Sequence, residues 1–142
     1  MRNILVVIAL FAAAMVGSCK RTQPVDPSAS LEWEPNVDQP IRQLEKVLSE
    51  LEQQQPRNET ISSIAFLYDA KLYVLFHDFV AALPEEERVK EIEEQRRWLQ
   101  ERKRRIDAAC AEYEGGTLAS FTAGQASIDA TKARIRAIEE RN

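Results

Sequence analysis

From residue 41 onward, apolar side chains recur three and four positions apart. Ile41, Leu44, Val47, Leu48 and Leu51 fall on one stripe of a helix, with Glu and Gln residues on the remaining surface. Pro56 to Thr60 interrupt the pattern. A second run holds Ile61, Ile64, Leu67, Tyr68, Leu72, Leu75, Phe76, Phe79, Val80 and Leu83, apolar around nearly half of its circumference, and it predicts the most buried helix. Pro84 opens a third helix where its missing N–H would be unpaired anyway, and Glu85, Glu86 and Glu87 then favour the positive end of the helix dipole. The apolar stripe of that helix continues through Val89, Ile92, Leu99, Ile106, Cys110 and Tyr113.

Gly115 and Gly116 end the third helix. Glycine reaches the left-handed conformation that closes a helix without a Cβ clash, so the pair can stop one helix and turn the chain into the next. Leu118, Phe121, Ile128, Ile135 and Ile138 mark a fourth helix, antiparallel to the third if the turn is tight. No strand pattern competes. The reading is all-α: a small antiparallel helical bundle over residues 41–142, with a long C-terminal αα-hairpin turning at Gly115-Gly116.

The start of the chain has a different character. Met1-Arg2-Asn3 is short and positively charged, and Ile4 to Val16 is an unbroken apolar run of thirteen residues, too short for a stable transmembrane helix. It ends in Val16-Gly17-Ser18-Cys19, which resembles the lipobox of bacterial lipoproteins. Residues 1–18 are therefore read as a signal peptide, cleaved between Ser18 and Cys19, with Cys19 acylated. Two or three acyl chains make a durable anchor, since each buried methylene contributes about 0.8 kcal/mol. Lys20 follows the cysteine where aspartate would retain a lipoprotein at the inner membrane. The expected address is the cell envelope, at the outer membrane facing the periplasm where the cell has two membranes. Residues 19–40 hold Pro24, Pro27, Pro35 and Pro40 among polar residues and read as a lipidated tether. Trp33, its conspicuous side chain, is free to dock on the domain, to touch the lipid interface or to meet a partner.

Removal of Arg2 with the leader leaves eighteen basic and twenty-three acidic residues, a formal net charge of −5. Nucleic acid is a poor partner for such a chain, because binding it needs a basic footprint that displaces phosphate counterions. A cationic protein suits it better. The segment Arg96 to Arg105 carries six basic residues, but Glu93–Arg97 and Glu101–Arg105 stand at i,i+4 and predict a solvated, ion-paired helix face. His77 is the single histidine, sits between Phe76 and Phe79, and has no metal-type ligand spaced around it. Cys110 reads as a small buried residue or as a thiol able to join a partner covalently. No activated nucleophile with a partnered base and no phosphate-binding loop is visible, so neither a catalytic site, a cofactor nor a metal is assigned. Asn58-Glu59-Thr60 is a glycosylation sequon without meaning in a bacterium lacking that pathway.

Four segments, "LYDAKLYVLFHDFVAALPEEER", "QRRWLQER", "YEGGT" and "DATKAR", together resemble the LprI-like lysozyme-inhibitor family of bacterial envelope lipoproteins and secreted proteins. The pattern falls without a gap on Gln95, Trp98, Leu99, Arg102, Tyr113, Gly115, Gly116, Thr117, Asp129, Thr131 and Arg134, within a match covering roughly residues 61–141. The family carries two cysteines that would fall on Ile106 and Ala126, and both are missing here. A disulfide closing a loop of that size stabilises by about 3 kcal/mol, so this chain must rely more on packing. The resemblance implies a partner protein, a lysozyme, and residues that serve the fold: Trp98 as an anchor, the glycines as a corner, the arginines as interhelix partners. Reflection about the glycine pair sets Arg102 opposite Asp129 and predicts an ion pair between them.

Three functions remain open at this level. The first is inhibition of a cell-wall hydrolase, which follows from the resemblance and is compatible with an acidic chain meeting a cationic lysozyme. The second is a non-catalytic structural or assembly lipoprotein that binds another envelope protein through a helix face. The third is a small-molecule-binding bundle.

Overall fold

Four helices make up the computed structural model, which describes residues 36–113 and 116–141. They are α1 (Asp38–Glu50), α2 (Gln54–Ala82), α3 (Glu85–Ala111) and α4 (Ala119–Glu139), and no strand occurs among the described residues. The all-α reading is therefore correct. The leader, Cys19, Trp33 and Gly115 lie outside the described residues.

Two helices begin earlier than expected, and for one reason. The sequence pattern places Pro40 in the tether, yet α1 begins at Asp38, and it makes Pro56 a break, yet α2 begins at Gln54. Both prolines occupy the first helical turn, where no intrahelical partner exists for an N–H, so neither removes a hydrogen bond. The Asn36 side chain accepts from the backbone N–H of Asp38 at 3.0 Å, satisfying one of the free donors of α1. Arg57 closes the opposite end of α1, donating from Nη1 to the Leu51 carbonyl at 2.9 Å while its guanidinium lies 4.8 Å from the centre of the Phe121 ring. The third helix starts one residue after Pro84, which precedes it in extended conformation.

Consecutive helices run antiparallel, but the packing order differs from the chain order. α4 lies against both α2 and α3, and α1 lies on α2, whereas α2 and α3 meet at few points. Ile61 approaches Gly124, and Leu72 and Phe79 share a cluster with Ile135 and Ile138, so α2 and α4 run side by side in the same direction. The most buried helix is accordingly α4, with Ser127, Ile128, Thr131, Arg134, Ile135 and Ile138 all buried, and not α2 as the sequence pattern implied. Flanked on two sides, α4 has less surface left for water.

Two apolar clusters hold this arrangement. Ile61, Ile64 and Ile128 form one, covered by Leu44 and Leu48 of α1 and by Phe121. Leu72, Phe79, Ile135 and Ile138 form the other, and Trp98 is the α3 side chain packed on it. Each fully buried isoleucine contributes about 1.5–3 kcal/mol. Gly124 permits the close approach of α2 and α4: a Cβ there would stand 3.0 Å from both γ carbons of Ile61. Both clusters fall within residues 35–142, which form one compact unit.

The corner between α3 and α4 spans 112–118. It is a chain of short turns, with Tyr113 N–H donating to Cys110 O, Gly116 N–H to Tyr113 O at 2.9 Å and Ala119 N–H to Gly116 O. Gly116 is not in the left-handed region, and a Cβ there would approach the Tyr113 carbonyl oxygen tightly, at 3.2 Å; Gly115, the other member of the expected pair, lies outside the described residues. Asn58 of α2 pins this corner by donating from Nδ2 to the Thr117 carbonyl at 2.8 Å. The sequon asparagine is thus a structural residue.

Candidate functional site

The inner face of α3 is polar. Glu91, Gln95, Trp98 and Arg102 succeed one another at spacings of four, three and four, the helical period, and Trp98 is the one apolar side chain of the four. This stripe meets an equally spaced polar stripe on α4, Ser127, Thr131 and Arg134, and the two interlock as a ladder.

At one end, Arg102 donates from Nη2 to Asp69 Oδ1 of α2 and to Ser127 Oγ of α4, each at 2.6 Å. One guanidinium therefore ties three helices, and its face lies 5.5 Å from the Trp98 ring. Thr131, fully buried, donates to the Ser127 carbonyl at 2.8 Å with Asp69 Oδ1 3.4 Å away. In the middle, Arg134 donates from Nε to Gln95 Oε1 at 2.9 Å and from Nη1 to Glu94 Oε1 at 3.3 Å. At the far end the buried Glu91 carboxylate accepts two bonds from Arg141, just beyond α4. That hydrogen bonding, opposed by burial, keeps the Glu91 carboxyl below its ordinary pKa and holds the Arg141 guanidinium above its own.

The structure thus gathers Gln95, Trp98, Arg102, Thr131 and Arg134 into one seam. The remaining residues of the pattern lie elsewhere. Leu99 is exposed on the flank of the ladder, Tyr113 and Thr117 lie in the corner, and Gly116 shapes that corner. Asp129 does not pair with Arg102. It is exposed and accepts from Gln125 Nε2 at 3.0 Å. Arg102 meets Ser127 instead, two residues earlier than reflection about the glycines implies, and Gln95 meets Arg134 with the same offset. Asp129 stands about 200° round the helix from Ser127, on the outer face. The corner is seven residues long, 112 to 118, so it is not the two-residue fold that the reflection assumed.

A groove of about 300 Å³ opens where α2 and α3 diverge, lined by Asp69, Leu72, Tyr73, Phe76, Gln95, Leu99 and Arg102. A second hollow, of about 370 Å³, lies along α2 and α4 beside Tyr68, Lys71 and Lys132. There Lys132 donates to Glu45 Oε1 at 3.0 Å and lies 4.7 Å from the Tyr68 ring centre, while the Tyr68 hydroxyl donates to the same Glu45 oxygen at 3.0 Å. Burial raises the Tyr68 hydroxyl pKa. Burial alone would lower the Lys132 ammonium, but its bonds to Tyr68 and Glu45 prevail and raise it. Lys71 and Asp38 form a further tie at 2.8 Å, and that hydrogen bond keeps the Asp38 carboxyl below its usual range.

Of the two surface pairs expected on α3, Glu101–Arg105 forms at 3.1 Å, with Arg104 on the same carboxylate at 3.6 Å; Glu93 and Arg97 are not paired. His77 is exposed and stacks on Tyr73 at 6.5 Å, and Cys110 is half-buried. Among the described residues no group of three His, Cys, Asp or Glu side chains is disposed to hold a metal, and no helix is long and apolar enough to cross a membrane. Asp69, Glu91, Ser127 and Arg141 join the seam without being marked by the sequence pattern. The signal for Glu91 was its place on the polar stripe; Asp69 was a lone acid within the apolar run of α2. Comparison of the chain with family models, with curated proteins and with solved structures gives no match.

Proposed function

We propose that the protein is an LprI-like lipoprotein of the bacterial cell envelope, anchored through Cys19, that binds and inhibits lysozyme-type cell-wall hydrolases without itself being an enzyme. One observation supports the reading above the others. Five residues drawn from separated segments of the family pattern, Gln95, Trp98, Arg102, Thr131 and Arg134, lie together in one seam between α3 and α4. In this reading the seam holds the hairpin in shape, and binding belongs to the outer surface. The acidic balance of the chain favours encounter with a cationic hydrolase.

The test is a titration of residues 20–142 against lysozymes of several classes. Inhibition should be stoichiometric and reversible, and it should weaken as salt screens the encounter. No inhibition of any class, together with specific capture of another envelope protein, would favour a structural or assembly role.

A further inference from the structure

The outer side of α3 carries a second stripe, distinct from the ladder. Val89, Ile92, Arg96, Leu99 and Lys103 recur at spacings of three and four, the repeat of a helix that pairs with another helix. The sequence pattern assigns these apolar residues to the core, yet Val89 is 55% exposed, Ile92 38% and Leu99 46%. Beside Leu99, across the shallow groove, Tyr73 of α2 is 72% exposed and widens the apolar surface. Exposed apolar side chains at helix-pairing spacing, here interrupted by Arg96, point to a contact surface.

The charges on α3 say what covers it. Up to residue 94 it holds Glu85, Glu86, Glu87, Glu91, Glu93 and Glu94 against Arg88 and Lys90; beyond it, Arg96, Arg97, Arg102, Lys103, Arg104 and Arg105 stand against Glu101 and Asp107, so the two parts carry formal charges of −4 and +4. Arg96 and Arg97 make no ion pair with another described residue. One helix thus presents an acidic half and a basic half along a single apolar stripe. Two such helices are complementary only when antiparallel, where acid meets base at both ends; a parallel pair would set like charges together.

We propose that a second copy of this chain covers the stripe, with α3 packed antiparallel on α3 about a two-fold axis beside residue 94. In that register Val89 of each copy meets Leu99 of the other, and Glu85 meets Lys103. The contact is isologous: each pairing occurs twice, so a single helix supplies both surfaces. This inference is independent of the hydrolase reading, because it concerns how the chain meets itself.

Sedimentation equilibrium on residues 35–142, which form their own compact unit with both apolar clusters, tests it. Reductant present throughout removes any contribution from Cys110. A reversible dimer is expected at micromolar concentrations. Leu99→Glu should weaken it about 100-fold with the helical content unchanged, because a charge then replaces the apolar contact with Val89. Glu85→Lys and Lys103→Glu should each weaken it about 10-fold, and the double variant should recover most of the loss. A domain that stays monomeric at all concentrations overturns the proposal, as does a dimer indifferent to Leu99→Glu. Failure of the double variant to recover overturns the antiparallel register.

Discussion

Arg102 reaches past the helix it was expected to pair with and grips Asp69 of α2 at 2.6 Å, using the same nitrogen that donates to Ser127 of α4. Since α2 and α3 meet at few points, this bond is a principal tie between them. Arg102 is 12% exposed in its side chain and Asp69 45%, which places the pair between a surface and a buried ion pair. A double-mutant cycle with Asp69→Ala and Arg102→Ala should show coupling of about 1–2 kcal/mol in chemical denaturation. Asp129→Ala should change stability by less than about 0.5 kcal/mol and show no coupling to Arg102.

Removing Arg141 should destabilise the domain in a pH-dependent manner. Glu91 has a lowered folded-state pKa, so its contribution is complete above the ordinary carboxylate range and is lost as pH falls through the folded value. Arg141→Ala leaves the buried carboxylate without its main partner. Arg141 is itself nearly half exposed, so the cost at neutral pH should be about 1–2 kcal/mol, less than for a fully buried pair. Melts of both proteins from pH 7 downward should converge only once the pH has fallen through the lowered folded-state value of Glu91, where it is protonated in each.

Gly124→Ala tests the close approach of α2 and α4. Alanine favours a helix by about 1 kcal/mol over glycine. Against that, its Cβ would stand 3.0 Å from two carbons of Ile61, which is only 1% exposed and has no room to withdraw. Overpacking costs about 1–3 kcal/mol, so net destabilisation is expected. In an Ile61→Ala background the cavity accepts the new methyl, and the sign of the Gly124→Ala effect should reverse.

The anchor makes a separate prediction. Cys19→Ser should leave an unprocessed precursor that retains residues 1–18, detectable by mass. Mature protein of unmodified peptide mass, beginning at another residue, would refute the lipoprotein reading.

Four helices, their order and the hairpin were legible in the sequence because each has a clear three-and-four repeat. The orientation of α3 was not. Its apolar stripe, with Val89 and Leu99, and its polar stripe, with Gln95 and Arg102, share one period, and periodicity does not say which faces inward when the inner face is polar. Thr131 and Arg134 were found through family resemblance, but their partners Asp69, Ser127 and Glu94 come from packing between helices distant in sequence. Gly124 gave no warning because a glycine within a helix looks the same whether another helix crosses it or not. Pro40 and Pro56 misled at helix starts, where proline is as compatible with a first turn as with a loop.

The polar ladder has a consequence for the order in which the molecule opens. α3 contributes a single side chain, Trp98, to the apolar clusters, whereas α1, α2 and α4 supply the rest. Its attachment is directional, made of guanidinium bonds that hold at one geometry and fail together once the register is lost. Hydrophobic contacts between α2 and α4 tolerate small displacements that this row of bonds does not. Backbone amides of α3 should therefore exchange with solvent through a partial opening in which α2 and α4 remain closed.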